Sequence, residues 1–107
     1  MSLSRKITDD GKVLKIVLDE KFDFGTVREF RDAYAIDYDD KNIEKVVIDL
    51  EQTEYMDSSA LGMLLNMQKS LQDRISAFSI INACPKVAKI LEISRFDKKF
   101  EIIGADD

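Results

Sequence analysis

Apolar positions along the chain alternate between short runs of period two and longer runs of helical period. Leu3 to Thr8 reads as a strand, and Asp9-Asp10-Gly11 as the tight turn of a hairpin. The run Val13-Leu14-Lys15-Ile16-Val17-Leu18 fits the returning strand in a largely buried sheet, with Val13, Ile16 and Leu18 fitting that pattern. Thr26 and Glu29 then stand at capping-box spacing, which predicts a helix start. Val27, Phe30, Tyr34 and Tyr38 recur at helical spacing as its core face, and Asp37-Tyr38-Asp39-Asp40 ends it in an acidic loop. Glu44 to Leu50 is β-branched and apolar, as a central buried strand is. A long helical pattern starts at Leu61, with Leu61, Leu64, Leu65, Gln68 and Leu71 in one stripe. Ala60, Met63 and Met67 broaden that stripe, either as ordinary core or as an adaptable partner surface. Ala77 to Ala83 reads as a further strand, and Pro85 suits the first position of a helix with Val87, Ile90 and Leu91 inward. Phe100 to Ile103 closes the chain as a short strand. Strands that alternate with helices favour parallel pairing through right-handed crossovers, and the first hairpin adds antiparallel character. The expected fold is an α/β mixed sheet with helices.

The most informative stretch is Met56-Asp57-Ser58-Ser59-Ala60-Leu61-Gly62, between the central strand and the long helix. Two hydroxyls sit where a loop feeds a helix start. Such starts leave backbone N–H groups unpaired and carry partial positive charge. Side-chain oxygens of Asp and Ser accept those N–H bonds, and a phosphate would find the same donors. The residues alone leave open whether this is a helix cap or a charge switch.

The order Asp57-Ser58-Ser59-Ala60-Leu61-Gly62 after a strand resembles the phosphorylation loop of the STAS family, the anti-sigma factor antagonists. Leu18-Asp19-Glu20-Lys21-Phe22-Asp23 is similar to the family's G-x-x-D turn, with Glu20 where Gly is often found and Asp23 kept. Cys84-Pro85-Lys86-Val87 is similar to its Ser-Pro-x-Val. The resemblance runs from about residue 3 to residue 103, and residues 1–107 are read as a single STAS domain. It implies a STAS-like mixed sheet with helices packed mainly on one face. It also implies phosphorylation of Ser59, with Ser58 as second choice, by an anti-sigma factor that is itself a serine kinase. A serine phosphatase would reverse the step. The switch loop and partner surface would comprise Asp23, Asp57, Ser58, Ala60, Leu61, Gly62 and Met63. Asp57 serves equally as an N-cap and as part of what a kinase reads.

Composition narrows the function classes. The chain has 107 residues, suiting one domain, with 45% hydrophobic and 35% charged residues. No apolar run approaches the ~18 residues of a membrane span, and no signal pattern opens the chain, so a cytoplasmic location is expected. The single cysteine, Cys84, excludes an internal disulfide and reads as a small turn residue. Histidine is absent, which removes His-based triads and common zinc sites. The net charge of −5 with no basic stripe argues against nucleic acid and anionic membranes. Lys86, Lys89, Arg95, Lys98 and Lys99 cluster late, as a solvated face or a dock for an acidic partner.

Enzymatic readings are weak. Serine hydrolysis needs an adjacent base, and neither His nor a G-x-S-x-G elbow is present. Phosphate-binding glycine motifs are absent, and the four glycines are isolated. No cofactor is expected. Asp23, Asp49 and Asp57 form a conceivable metal cluster, with turn and cap roles favoured for Asp23 and Asp57. In the switch reading, Asp23, Glu54 and Asp57 surround the serine with negative charge, so a phosphate would repel an acidic partner surface. The broad apolar helix fits either a monomer or a weak dimer. The competing expectation is a STAS binding module of a stress-signalling, biofilm, secretion or lipid-transport complex.

Overall fold

The computed structural model describes residues 3–8, 10–36 and 42–104. Tyr38 and the acidic loop 37–40 lie outside these residues, as does Asp9 of the predicted turn.

The chain opens with β1 (Ser4–Thr8) and β2 (Val13–Val17), an antiparallel hairpin pairing Thr8 with Val13. Asp10 and Gly11 take φ of 58° and 89°, which lets the Gly11 and Lys12 amides donate to Thr8 O at 3.2 and 3.1 Å. Gly tolerates that left-handed backbone without cost, and Asp more readily than bulkier residues. Next come β3 (Lys21–Phe22), a 3-10 turn (Phe24–Thr26) and α1 (Val27–Tyr34). Then follow β4 (Lys45–Asp49), β5 (Tyr55–Met56), α2 (Ser58–Leu71), β6 (Ala77–Ala83), α3 (Pro85–Ile93), a second 3-10 turn (Phe96–Lys98) and β7 (Glu101–Gly104).

The main sheet has the order β1-β2-β4-β6-β7, and every pair after the hairpin is parallel. Register explains which side is covered. Leu14, Val46 and Phe78 form one cross-strand row and Ile16, Ile48, Ile80 and Ile102 the next. All but Ile102 are buried. The opposite rows, such as Lys15, Val47 and Ser79, are only partly covered except for Ser79. Successive right-handed crossovers in one direction place all three helices on the same side. The core therefore lies between the isoleucine rows and Phe30 of α1, Leu64 and Met67 of α2, and Val87 and Leu91 of α3.

Several sequence expectations change. The inward residues of β2 are Leu14 and Ile16, with Leu18 just beyond, while Val13 lies on the half-covered side. Parallel pairing to β4 fixes that phase, since a one-residue slip would flip every side chain. Thr26 makes no side-chain cap bond to α1, so the predicted capping box does not form. Asp23 caps the preceding 3-10 turn instead. The second helix begins at Ser58, not Leu61. Its buried stripe is Ala60, Met63, Leu64, Met67 and Leu71, while Leu65 is 37% exposed. Both methionines are thus core. The two-residue strands β3 and β5 form a separate parallel pair that the pattern did not reveal.

Candidate functional site

The C-terminal ends of the parallel strands carry three loops, and one buried residue ties them together. Thr53 is 1% exposed. Its hydroxyl donates to Asp19 O at 2.9 Å, and its own carbonyl accepts the Cys84 thiol at 3.7 Å. Its amide donates to Leu50 O at 3.0 Å. One residue, through its hydroxyl and its backbone, therefore links the segment after β2, the segment after β4 and the entry to α3. The Glu54 and Tyr55 amides add bonds to Glu20 O at 2.8 and 3.1 Å.

These bonds align β3 with β5, pairing Lys21 with Tyr55 and Phe22 with Met56. Strand alternation turns Phe22 and Met56 into the core and Lys21 and Tyr55 outward. Asp23 and Asp57 directly follow the two paired strands, and both act as caps. Asp23 Oδ1 accepts the Gly25 amide at 2.9 Å, and Asp57 Oδ1 accepts the Ala60 amide at 3.0 Å. The sequence resemblance expected Asp23 near the serine loop, and the β3–β5 pair supplies the physical link.

Ser58 and Ser59 therefore occupy the first two positions of α2, beyond the Asp57 cap. Ser58 is exposed and Ser59 half-buried. Asp57 is the cap, so Ser58 does not play the cap role considered from the sequence. First-turn amides cannot be paired within the helix, so this end offers donors and a positive dipole to a phosphate. Among the other residues expected at this surface, Gly62 is exposed and Leu61 half-buried. Ala60 and Met63, at 0% and 7% exposure, lie beneath it in the core. Sequence reading missed Thr53, Phe24 and Tyr55. A Thr in a polar loop carries no burial signal, and neither aromatic belongs to a periodic run that would mark which way it faces.

Asp49 serves a different place. It is 4% exposed, and its carboxylate accepts the Glu51 amide at 2.9 Å and the Asn82 amide at 3.2 Å, with Lys15 Nζ at 3.4 Å. Asn82 takes φ of 62° at the irregularity in β6, which aims its amide at Asp49. Among the described residues no group of three or more His, Cys, Asp or Glu side chains is placed to hold a metal ion. No helix among them is long and apolar enough to cross a membrane. A groove of about 340 Å³ runs between α1 and α2, lined by Val27, Tyr34, Met63 and Lys69 among others, and neither serine borders it.

Comparison with known proteins agrees with this geometry. The STAS domain family model matches residues 4–105. A STAS-domain containing protein of Pseudomonas aeruginosa is 39% identical over 105 residues, covering 95% of this chain and 99% of the relative. The crystal structure of a candidate anti-sigma factor antagonist from Thermotoga maritima superposes with a TM-score of 0.76 at 23% identity, over 94% of this chain and 85% of that one. The anti-sigma factor antagonist SpoIIAA in its unphosphorylated form gives 0.67 at 17% identity, over 91% and 96%. A sulfate transporter family protein from Wolinella succinogenes gives 0.76 at 14%, over 94% and 81%. These structures share the fold, a mostly parallel mixed sheet with three helices. By sequence and by fold, the chain belongs to the STAS domain family.

Proposed function

We propose that this STAS domain is an anti-sigma factor antagonist of the partner-switching kind. Unphosphorylated, it binds an anti-sigma factor that is also a serine kinase, which frees a sigma factor for transcription. The kinase, using its own ATP and magnesium, transfers a phosphate to Ser59 and the complex dissociates. A serine phosphatase restores binding. The chain acts as a regulatory binding module in the cytoplasm and contacts neither DNA nor membrane.

The observation that carries this reading is the pair of serines in the first turn of α2, past a carboxylate cap and beside a second capped turn. The folded chain already accommodates a charge there, because the helix end favours an anion by about 0.3–1 kcal/mol. An apolar stretch of partner surface over the serine has no such provision. Burying a dianion against apolar groups is costly, so binding falls without any change of shape. SpoIIAA, solved in both unphosphorylated and phosphorylated forms, supports the reading by analogy of fold. Isothermal titration of wild type and Ser59→Asp against the purified anti-sigma factor is the test. A loss of at least tenfold in affinity is expected, and equal affinities would refute the switch.

The second reading is a STAS binding module of a stress-signalling, biofilm, secretion or lipid-transport complex, and the likeness in fold to a sulfate transporter family protein fits it. The same titration, run against a sigma-independent partner, separates the two.

A further inference from the structure

Phe24 is 71% exposed, at the tip of the 3-10 turn that follows β3. Single exposed apolar residues are common and need no explanation. This one differs in how firmly it is held. Asp23 grips the turn at both ends: its carboxylate takes the Gly25 amide at 2.9 Å, and its carbonyl takes the Thr26 hydroxyl at 2.8 Å and the Thr26 amide at 3.0 Å. An aromatic ring on a pre-ordered turn loses little freedom on binding. Tyr55, 44% exposed on β5, adds a second outward aromatic at the same end of the molecule.

The surrounding charge selects the partner. Glu20, Asp23, Glu51, Glu54 and Asp57 occupy the loops and caps at this end, against Lys21, Arg28 and Lys86. Lys89, Arg95, Lys98 and Lys99 follow α3 away from it. We propose that Phe24, supported by Tyr55, is an aromatic anchor that seats in an apolar pocket of the protein partner, and that Lys or Arg rims this pocket. The inference rests on the switch reading and reverses one of its sequence-derived details, the acidic partner surface. Basic groups complement the carboxylates and stack on exposed rings. A phosphate on Ser59 then blocks binding where the complex buries it against the apolar part of the partner surface and away from the basic rim, by its desolvation cost and not by long-range repulsion. Phe24 supplies affinity, while Ser59 decides whether that affinity is realised.

The test begins with photo-crosslinking in the native host, using benzoylphenylalanine at position 24 and, as control, at position 93. Ile93 is equally exposed, 71%, but ends α3 at the far side of the fold. Expected is a crosslink from position 24 to a peptide containing apolar residues and Lys or Arg, and none to that protein from position 93. The crosslinked protein is then purified and titrated with wild type, Phe24→Ser, Ile93→Ser and Ser59→Asp, after melting curves confirm that all fold. Phe24→Ser should weaken binding about 30-fold, as central aromatic anchors do, with Ile93→Ser within twofold of wild type. Raising the salt should weaken wild-type binding. Equal crosslinking from both positions, unchanged affinity in Phe24→Ser, or tighter binding at high salt overturns the anchor. If Ser59→Asp releases the partner but Phe24→Ser does not, the switch stands and the anchor fails. If Phe24→Ser releases it and Ser59→Asp does not, the anchor stands and the phospho-switch fails.

Discussion

Asp57 joins local stability to recognition. Its carboxylate takes the Ala60 amide, so Asp57→Ala should cost about 1 kcal/mol, or about 4 °C in Tm by calorimetry. Asn caps equally well, so Asp57→Asn should leave the melting curve nearly unchanged yet slow phosphorylation. A collapse in stability would make the residue purely structural. Gly62 points the other way. It lies inside α2, and a Cβ built there meets nothing within 4 Å. Gly62→Ala should therefore raise stability by about 0.5–1 kcal/mol, while weakening partner binding if the partner backbone approaches this exposed turn. A Tm gain with unchanged affinity would remove Gly62 from the interface. At this scale the sequence showed the serines, Asp23, Asp57 and Gly62. It could not show that Ala60 and Met63 face inward, because that depends on which face of α2 meets the sheet.

Among the elements, the short β3–β5 pair does most to shape the site. Two-residue strands are too brief to show a period, and their pairing joins segments far apart in the chain, so local pattern could not reveal them. The helix start moved for a related reason. Apolar periodicity begins only where α2 meets the core, whereas the helix begins at its cap, a turn earlier. Thr53 holds this arrangement. Thr53→Val removes the buried hydroxyl bond between the segments after β2 and β4 and should cost about 1–3 kcal/mol. Hydrogen exchange at Glu54 and Tyr55, whose amides bond Glu20 O, should accelerate by more than exchange in β4 or β6. Uniform acceleration across the sheet would show that Thr53 stabilises the fold and not the loops in particular. Gly25 is a smaller lever on the same region. A Cβ there would stand 3.2 Å from Asp23 Oδ1, so the cap would have to give slightly to admit it.

For the whole molecule, alternating strands and helices predicted a mixed α/β sheet with parallel crossovers, while the topology came from the resemblance to the STAS family more than from periodicity. The sidedness of the sheet came from register, in which Leu14, Val46 and Phe78 share one row. That places the core on the helix side and the serines at the strand ends, where a phosphate would alter a surface and spare the core. Leu64→Ala, at 0% exposure in α2, should cost about 2–5 kcal/mol, while Ser59→Asp should keep the wild-type Tm within a few degrees. Unfolding of Ser59→Asp would make the serine structural. On the proposed function, Ser59 is the residue whose phosphorylation sets partner binding. The most direct measurement is intact mass with peptide mapping across residues 55–69, on protein purified from its native host under two growth conditions. A phosphate on Ser59, in a fraction that changes with condition, is the predicted result. A phosphate confined to Ser58, or none in either condition, would contradict it.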